Sequence, residues 1–136
     1  MERSDMEKIT GALWMRGFLE LAGLVFGGIW GYRLDSGGVR FFFALGIPLI
    51  MAIVWAVFNV PDDPSRGGPT PVPVGGRLRL LLEAGLFGFA VFAAWSALGM
   101  WPALVFLALV VFNNYQLRHR LVWVWKKKRK RGFSTK

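Results

Sequence analysis

Residues 41–58 read FFFALGIPLIMAIVWAVF, eighteen positions without a charged side chain. Eleven of them are Leu, Ile, Val or Phe. At roughly −0.3 to −0.6 kcal/mol each on an insertion scale, they contribute about −3 to −7 kcal/mol toward crossing a bilayer. Pro48 falls mid-span, where neighbouring helices tolerate it and a modest kink is expected. This stretch sets the class of the whole chain.

Working outward, residues 12–32 are apolar apart from Arg16 and Glu20, and Trp14, Trp30 and Tyr32 lie near the two ends, where interfacial aromatic belts form. On the other side, residues 78–98 form a third apolar run, interrupted by Arg79, Glu83 and Ser96. A fourth begins near Met100 and continues to Phe112, then meets Asn113, Asn114, Tyr115 and Gln116, which read as an exit through the headgroups. The first two runs are joined by LDSGGVR and the last two by Leu98, Gly99 and Met100. Connections this short make each pair an antiparallel hairpin.

Composition agrees. Hydrophobic residues make up 54% of 136, with 12 Phe and 7 Trp. A soluble domain of this size buries only part of its surface and cannot hide such a load. Charge is 18% and segregated, with seven Lys or Arg in the final eleven residues. Cysteine is absent, which excludes a disulfide framework, a Cys-based zinc site and a thiol nucleophile. The start, MERSDMEK, is too acidic for a secretory signal, so the first run reads as a retained span. No lipidation motif is visible. The expected fold is all-α, an integral membrane four-helix bundle.

The segments expected are an N-terminus (1–11), a first membrane hairpin (12–59), a linker (60–77), a second hairpin (78–117) and a basic, Trp-containing tail (118–136). Within the linker, PDDPSRGGPTPVPVGG holds five Pro and four Gly in sixteen residues, a tether that cannot sit in hydrocarbon. A Pro-rich partner ligand is the sharper reading and a plain linker the preferred one. With four spans, the termini and linker share one side. That side carries fifteen Lys or Arg, against Arg33 and Arg40 on the other. Both termini are therefore expected in the cytoplasm.

The hairpins also resemble each other. Arg16 and Glu20 are four apart, as are Arg79 and Glu83, and an offset of 63 relates both pairs. The same offset carries Gly27 onto Ala90 and Gly31 onto Ala94. At 100° per residue, Gly23, Gly27 and Gly31 follow the first charge pair on one helix face, and Ala90, Ala94 and Ala97 follow the second. Small residues at this spacing let helices approach closely in lipid. The reading is a parallel internal repeat, two hairpins about an axis along the membrane normal, with spans one and three meeting through these stripes.

Glu20 and Glu83 are the candidate functional groups. Glu20 lies about 12 Å into the membrane from a boundary near Ala12, where a lone carboxylate is costly. The structural reading is an intrahelical Arg–Glu pair that neutralises itself and fixes packing. The sharper reading is a proton or cation site shared by two carboxylates. The structural reading is preferred. Lone His119 is read as interfacial, and Asn113, Asn114 and Gln116 as the end of the span. The basic run Lys126, Lys127, Lys128, Arg129, Lys130 and Arg131 resembles a nucleic-acid patch in isolation. Directly after a membrane exit and two Trp, it reads instead as a segment held on anionic lipid, at about 1 kcal/mol per basic residue. No nucleic-acid partner, metal or cofactor is expected.

The pattern RGFLELAGLVFGGIWGYRL, then FFFALGIPLIMAIVWAVF, then a Pro-rich linker and RLRLLLEAGLFGFAVFAAWSALG resembles the YrdB-like family of small bacterial membrane proteins. The resemblance covers roughly residues 13–117. Its best motifs are the Arg-x-x-x-Glu-Leu-Ala opening and the Gly-x-Pro of span two. It implies four spans and a bacterial plasma membrane, and it brings no established activity. The basic extension after Leu121 is longer than is usual for that family.

Two functional classes follow. The favoured one is a non-enzymatic accessory or assembly subunit, packing against other membrane proteins or its own copies. The second is a small proton-coupled transporter or channel-like oligomer using Glu20 and Glu83. Small multidrug-resistance transporters also place a carboxylate in the first of four spans, but without a two-half repeat. An enzyme is not expected, because no second polar group is placed to act with either carboxylate.

Overall fold

The computed structural model describes residues 3–61 and 71–126, with side chains from residue 10 onward. It is mostly helical. The order is α1 (Arg3–Tyr32), α2 (Val39–Val57), α3 (Gly76–Leu98), α4 (Met100–Gln116) and α5 (Arg118–Lys126). Helix α1 begins well before the first apolar run. Helix α2 passes through Pro48 unbroken, and α3 ends at Gly99, whose φ of 109° only glycine adopts without strain. The Gly99 N–H donates back to the carbonyls of Ala94 and Trp95, capping α3 as α4 starts one residue on.

Three helical stretches are long and apolar enough to cross a membrane, namely 10–32, 39–57 and 76–98. Helices α4 and α5 reach that standard only together, and they are bent by 71° at Leu117. The described structure therefore holds three to four candidate spans. Their outer faces are apolar. Phe42, Leu45 and Trp101 are each 75% exposed, a pattern suited to hydrocarbon and not to water.

Helices α1 and α3 are central. The first packs on α2, α3 and α4, and the second on α1, α4 and α5. Between them, Leu19, Trp55, Phe87, Ala90, Phe106 and Val110 form a buried cluster. Trp55 meets Phe87 edge-on at 5.0 Å and Phe26 meets Phe106 at 5.1 Å, geometries that favour aromatic pairs.

The glycine stripe of α1 differs from the expectation that it faces α3 throughout. A Cβ on Gly23 would sit 3.3 Å from the Ala90 Cβ, so the stripes do meet there. One on Gly27 would sit 2.7 Å from the Met51 Sδ, and one on Gly31 only 2.5 Å from the Phe43 carbonyl oxygen, both on α2. The reason is helical pitch. Each step of four residues advances 400°, so the row winds by about 40° per glycine and leaves α3 for α2. Ala90, Ala94 and Ala97 on α3 are all buried.

The linker is also less free at its ends than its composition suggests. Phe58–Asn59 pairs in parallel with Val72–Pro73, and the Val74 N–H donates to the Asn59 carbonyl at 2.9 Å. Val60 and Val74 are buried. Residues 62–70 lie outside the described residues.

Candidate functional site

The charged residues of α1 and α3 converge at the end of the assembly where the linker and α5 lie. Each intrahelical pair forms as its spacing requires. Arg16 Nε is 3.3 Å from Glu20 Oε1, and Arg79 Nε is 3.0 Å from Glu83 Oε1. The two pairs are then joined, because Arg16 Nη2 also lies 2.8 Å from Glu83 Oε2.

Glu83 is the hub. Besides Arg16 and Arg79 it accepts from Arg120 of α5, Nη2 to Oε1 at 2.8 Å and Nη1 to Oε2 at 3.3 Å. Glu83 is 4% exposed and its three arginines no more than 6%. Arginines from three helices thus clamp one buried carboxylate. Buried charges are tolerated only when paired and hydrogen-bonded in this way.

Arg79 and Arg16 each carry a second duty. Arg79 Nη1 donates to the carbonyls of Trp55 at 3.0 Å and Phe58 at 2.7 Å. Those carbonyls belong to the last turn of α2 and to its C-cap residue, so a guanidinium there caps the helix and meets the negative end of its dipole. Arg16 donates to Asn114 Oδ1 at 3.0 Å and lies 4.9 Å from the Phe87 ring. At the opposite end, Arg33 donates to the Ala97 carbonyl, tying the first turn to the end of α3.

Glu20 fares differently from Glu83. Its Oε1 accepts from Trp55 Nε1 at 2.9 Å and from Arg16, and its side chain is 28% exposed. It borders a groove of about 180 Å³ with Leu24, Ala52 and Trp55, between α1 and α2. Glu83 borders another, of about 320 Å³, walled mainly by α3 and α4, with Arg16 of α1 and Leu121 of α5 at its edge. The two carboxylates do not face each other across a shared cavity. Arg16 stands between them.

Three residues do more than the sequence reading gave them. Asn113 and Asn114 stand in the last turn of α4, where the end of a span was expected, and they also make contacts inside the bundle. Asn113 is 1% exposed and donates to the Ala12 carbonyl at 2.8 Å, while Asn114 holds Arg16. An amide inside a helix contact satisfies polar groups that hydrocarbon would leave unmet. Arg120, which the sequence reading only counted among the basic residues of the tail, is a full member of the cluster. The signal for it was the inward spacing of Leu117, Arg120 and Val124, all buried. His119 is exposed. Lys126 is exposed at the end of α5, whereas Lys127, Lys128, Arg129, Lys130 and Arg131 lie outside the described residues.

As chemistry, the site is a cross-link of three guanidinium and two carboxylate groups. Among the described residues no three His, Cys, Asp or Glu side chains gather as metal ligands do.

No solved structure matches the chain. Its sequence matches a family described as proteins of unknown function, DUF2568, over residues 14–111. It is also 34% identical to "Uncharacterized protein YrdB" of Bacillus subtilis (strain 168) over 120 residues, which are 88% of this chain and 98% of that relative. Arg16, Glu20, Arg79 and Glu83 all fall inside the family match, whereas Arg120 lies beyond it. With most of both sequences aligned, the chain belongs to the YrdB-like, DUF2568 family of unknown function.

Proposed function

We propose that this protein is a non-enzymatic accessory or assembly subunit of the bacterial plasma membrane, a four-helix bundle of two parallel-repeated hairpins that packs against other membrane proteins. Both termini lie in the cytoplasm, on the side that carries the excess of Lys and Arg. The observation that carries the reading is the clamp on Glu83, by Arg16, Arg79 and Arg120 from three helices. A carboxylate so enclosed serves to fix helix positions. The broad exposed aromatic faces supply the contact area such a subunit needs, Trp95 and Trp101 among them.

The alternative is a proton-coupled transporter using Glu20 and Glu83. What favours it is the partial exposure of Glu20 to the α1–α2 groove. What weighs against it is that Glu20 is already held by Arg16 and Trp55.

Reconstitution separates the two. The purified chain in liposomes is expected to conduct protons and small cations no faster than protein-free vesicles, and Glu20→Gln to change nothing. Purification from native membranes is expected to bring a membrane protein along in fixed ratio. A proton flux in the wild type that Glu20→Gln abolishes, with the fold retained, would replace the subunit reading by transport.

A further inference from the structure

We infer that α5 is an anionic-lipid clamp: its outer face binds a bilayer surface rich in acidic phospholipid while its inner face locks Glu83 through Arg120. The inference requires that α4 crosses the membrane by itself, leaving α5 at its surface, and it does not depend on the subunit role. The helix reads RHRLVWVWK, and at 100° per residue it has two unlike sides. Leu117, just before its start, Arg120 and Val124 lie within about 60° of one another and are buried. Arg118, His119, Val122, Trp125 and Lys126 occupy the opposite arc and are exposed.

That outer arc combines cations with apolar and aromatic groups, the composition of helices that lie in the interface plane. Its direction fits, because a helix turned by 71° from a crossing helix runs nearly along the membrane surface. Two cation–ring stacks flank it. The Arg77 guanidinium sits 4.6 Å from the Trp125 ring, and that of Arg118 sits 4.6 Å from Tyr115. Aromatic rings beside cations suit headgroup depth, where one side is apolar and the other wet.

Charge names the occupant. No acidic residue follows Glu83 in the sequence, whereas nine Lys or Arg do, five of them at 127–131 directly after α5. Glu83 itself is buried beneath the helix, so it cannot neutralise the outer arc. A surface of this kind matches anionic headgroups. Because α5 is one nine-residue helix, lipid that holds its outer arc also favours the arrangement in which Arg120 grips Glu83, by mass action on the folded state.

The absence of cysteine allows a direct test. Val122→Cys, carrying a polarity-sensitive fluorophore, is placed in nanodiscs of phosphatidylcholine alone and in nanodiscs with a one-third share of phosphatidylglycerol. The probe is expected to shift to blue emission with the anionic lipid, and the unfolding midpoint of the unlabelled protein to rise by roughly 5 °C. About 1 M salt should erase both effects, as screening requires. Replacing Arg118 and the six basic residues 126–131 by Gln should make the two lipids equivalent. Arg120→Gln should leave the probe shift intact and remove the gain in midpoint.

Equal probe emission in the two lipids would overturn the clamp, even if the neutralised variant failed to fold. A full midpoint gain in Arg120→Gln would overturn its link to Glu83. An RNA oligomer that produced both shifts in phosphatidylcholine nanodiscs would give the surface to nucleic acid instead.

Discussion

Glu83→Gln is expected to destabilise the protein by about 3–5 kcal/mol, the usual cost of leaving buried charges without their partner. Gln keeps the size of the side chain, so the loss isolates charge from packing. Three guanidinium groups would then surround a neutral amide, with Arg16 left to Glu20 and Asn114 and Arg79 left to the α2 carbonyls. Arg120 would keep at most one of its two contacts at position 83, now 2.8 and 3.3 Å, because the amide nitrogen cannot accept. Glu20→Gln should cost less, about 1–2 kcal/mol, because its carboxylate is partly exposed and the amide oxygen still accepts from Trp55. Unfolding midpoints in nanodiscs measure both. Equal losses for the two variants would refute the asymmetry between Glu20 and Glu83.

Gly31→Ala is the second large effect. The added methyl carbon would lie 2.5 Å from the Phe43 carbonyl oxygen, 2.8 Å from its carbon and 3.0 Å from Ile47 Cδ1. The first two are backbone atoms of α2, which move only if the helix moves. Overpacking of this kind typically costs 1–3 kcal/mol, and about 3 kcal/mol is expected here because the obstacle is rigid. Gly27→Ala meets the Met51 sulfur at 2.7 Å, the far part of a flexible side chain, and should cost less than half as much. Gly17→Ala meets nothing within 4 Å and should be neutral, or stabilising by up to about 1 kcal/mol through helix propensity. Ranking the three by thermal unfolding tests the α1–α2 contact. A loss at Gly17 as large as at Gly31 would show that propensity, not contact, governs this helix.

The difference between Gly27 and Gly31, which pack on α2, and Gly23, which packs on α3, marks where sequence reasoning stops. That small residues sit at four-residue spacing is local and legible. Which neighbour they meet depends on how the row winds around α1 and where the first hairpin places α2. The apolar runs themselves were legible because hydrocarbon imposes length and composition on each span separately. The charge pairs of α1 and α3 were legible for the same reason, since four-residue spacing alone puts Arg16 beside Glu20 and Arg79 beside Glu83.

Arg120 was hidden in a different way. It lies 37 residues from Glu83 within a basic stretch whose other described Lys and Arg residues, Arg118 and Lys126, are exposed. Only the turn of α5 carries it over the end of α3, and no local pattern encodes a 71° bend. Asn113 was hidden by its own chemistry. An amide after an apolar run marks a boundary in most spans, and here it meets a backbone carbonyl of α1 at 2.8 Å.

In the proposed topology, four crossings would bring the linker, α5 and both termini to one side of the membrane. Single cysteines at Gly37, Ser65 and Ser134, challenged with an impermeant maleimide on whole bacterial cells, measure it most directly. Label is predicted at position 37 on intact cells, and at 65 and 134 only after the membrane is opened. Labelling of position 134 from outside, with 65 protected, would leave an odd number of crossings and contradict the account.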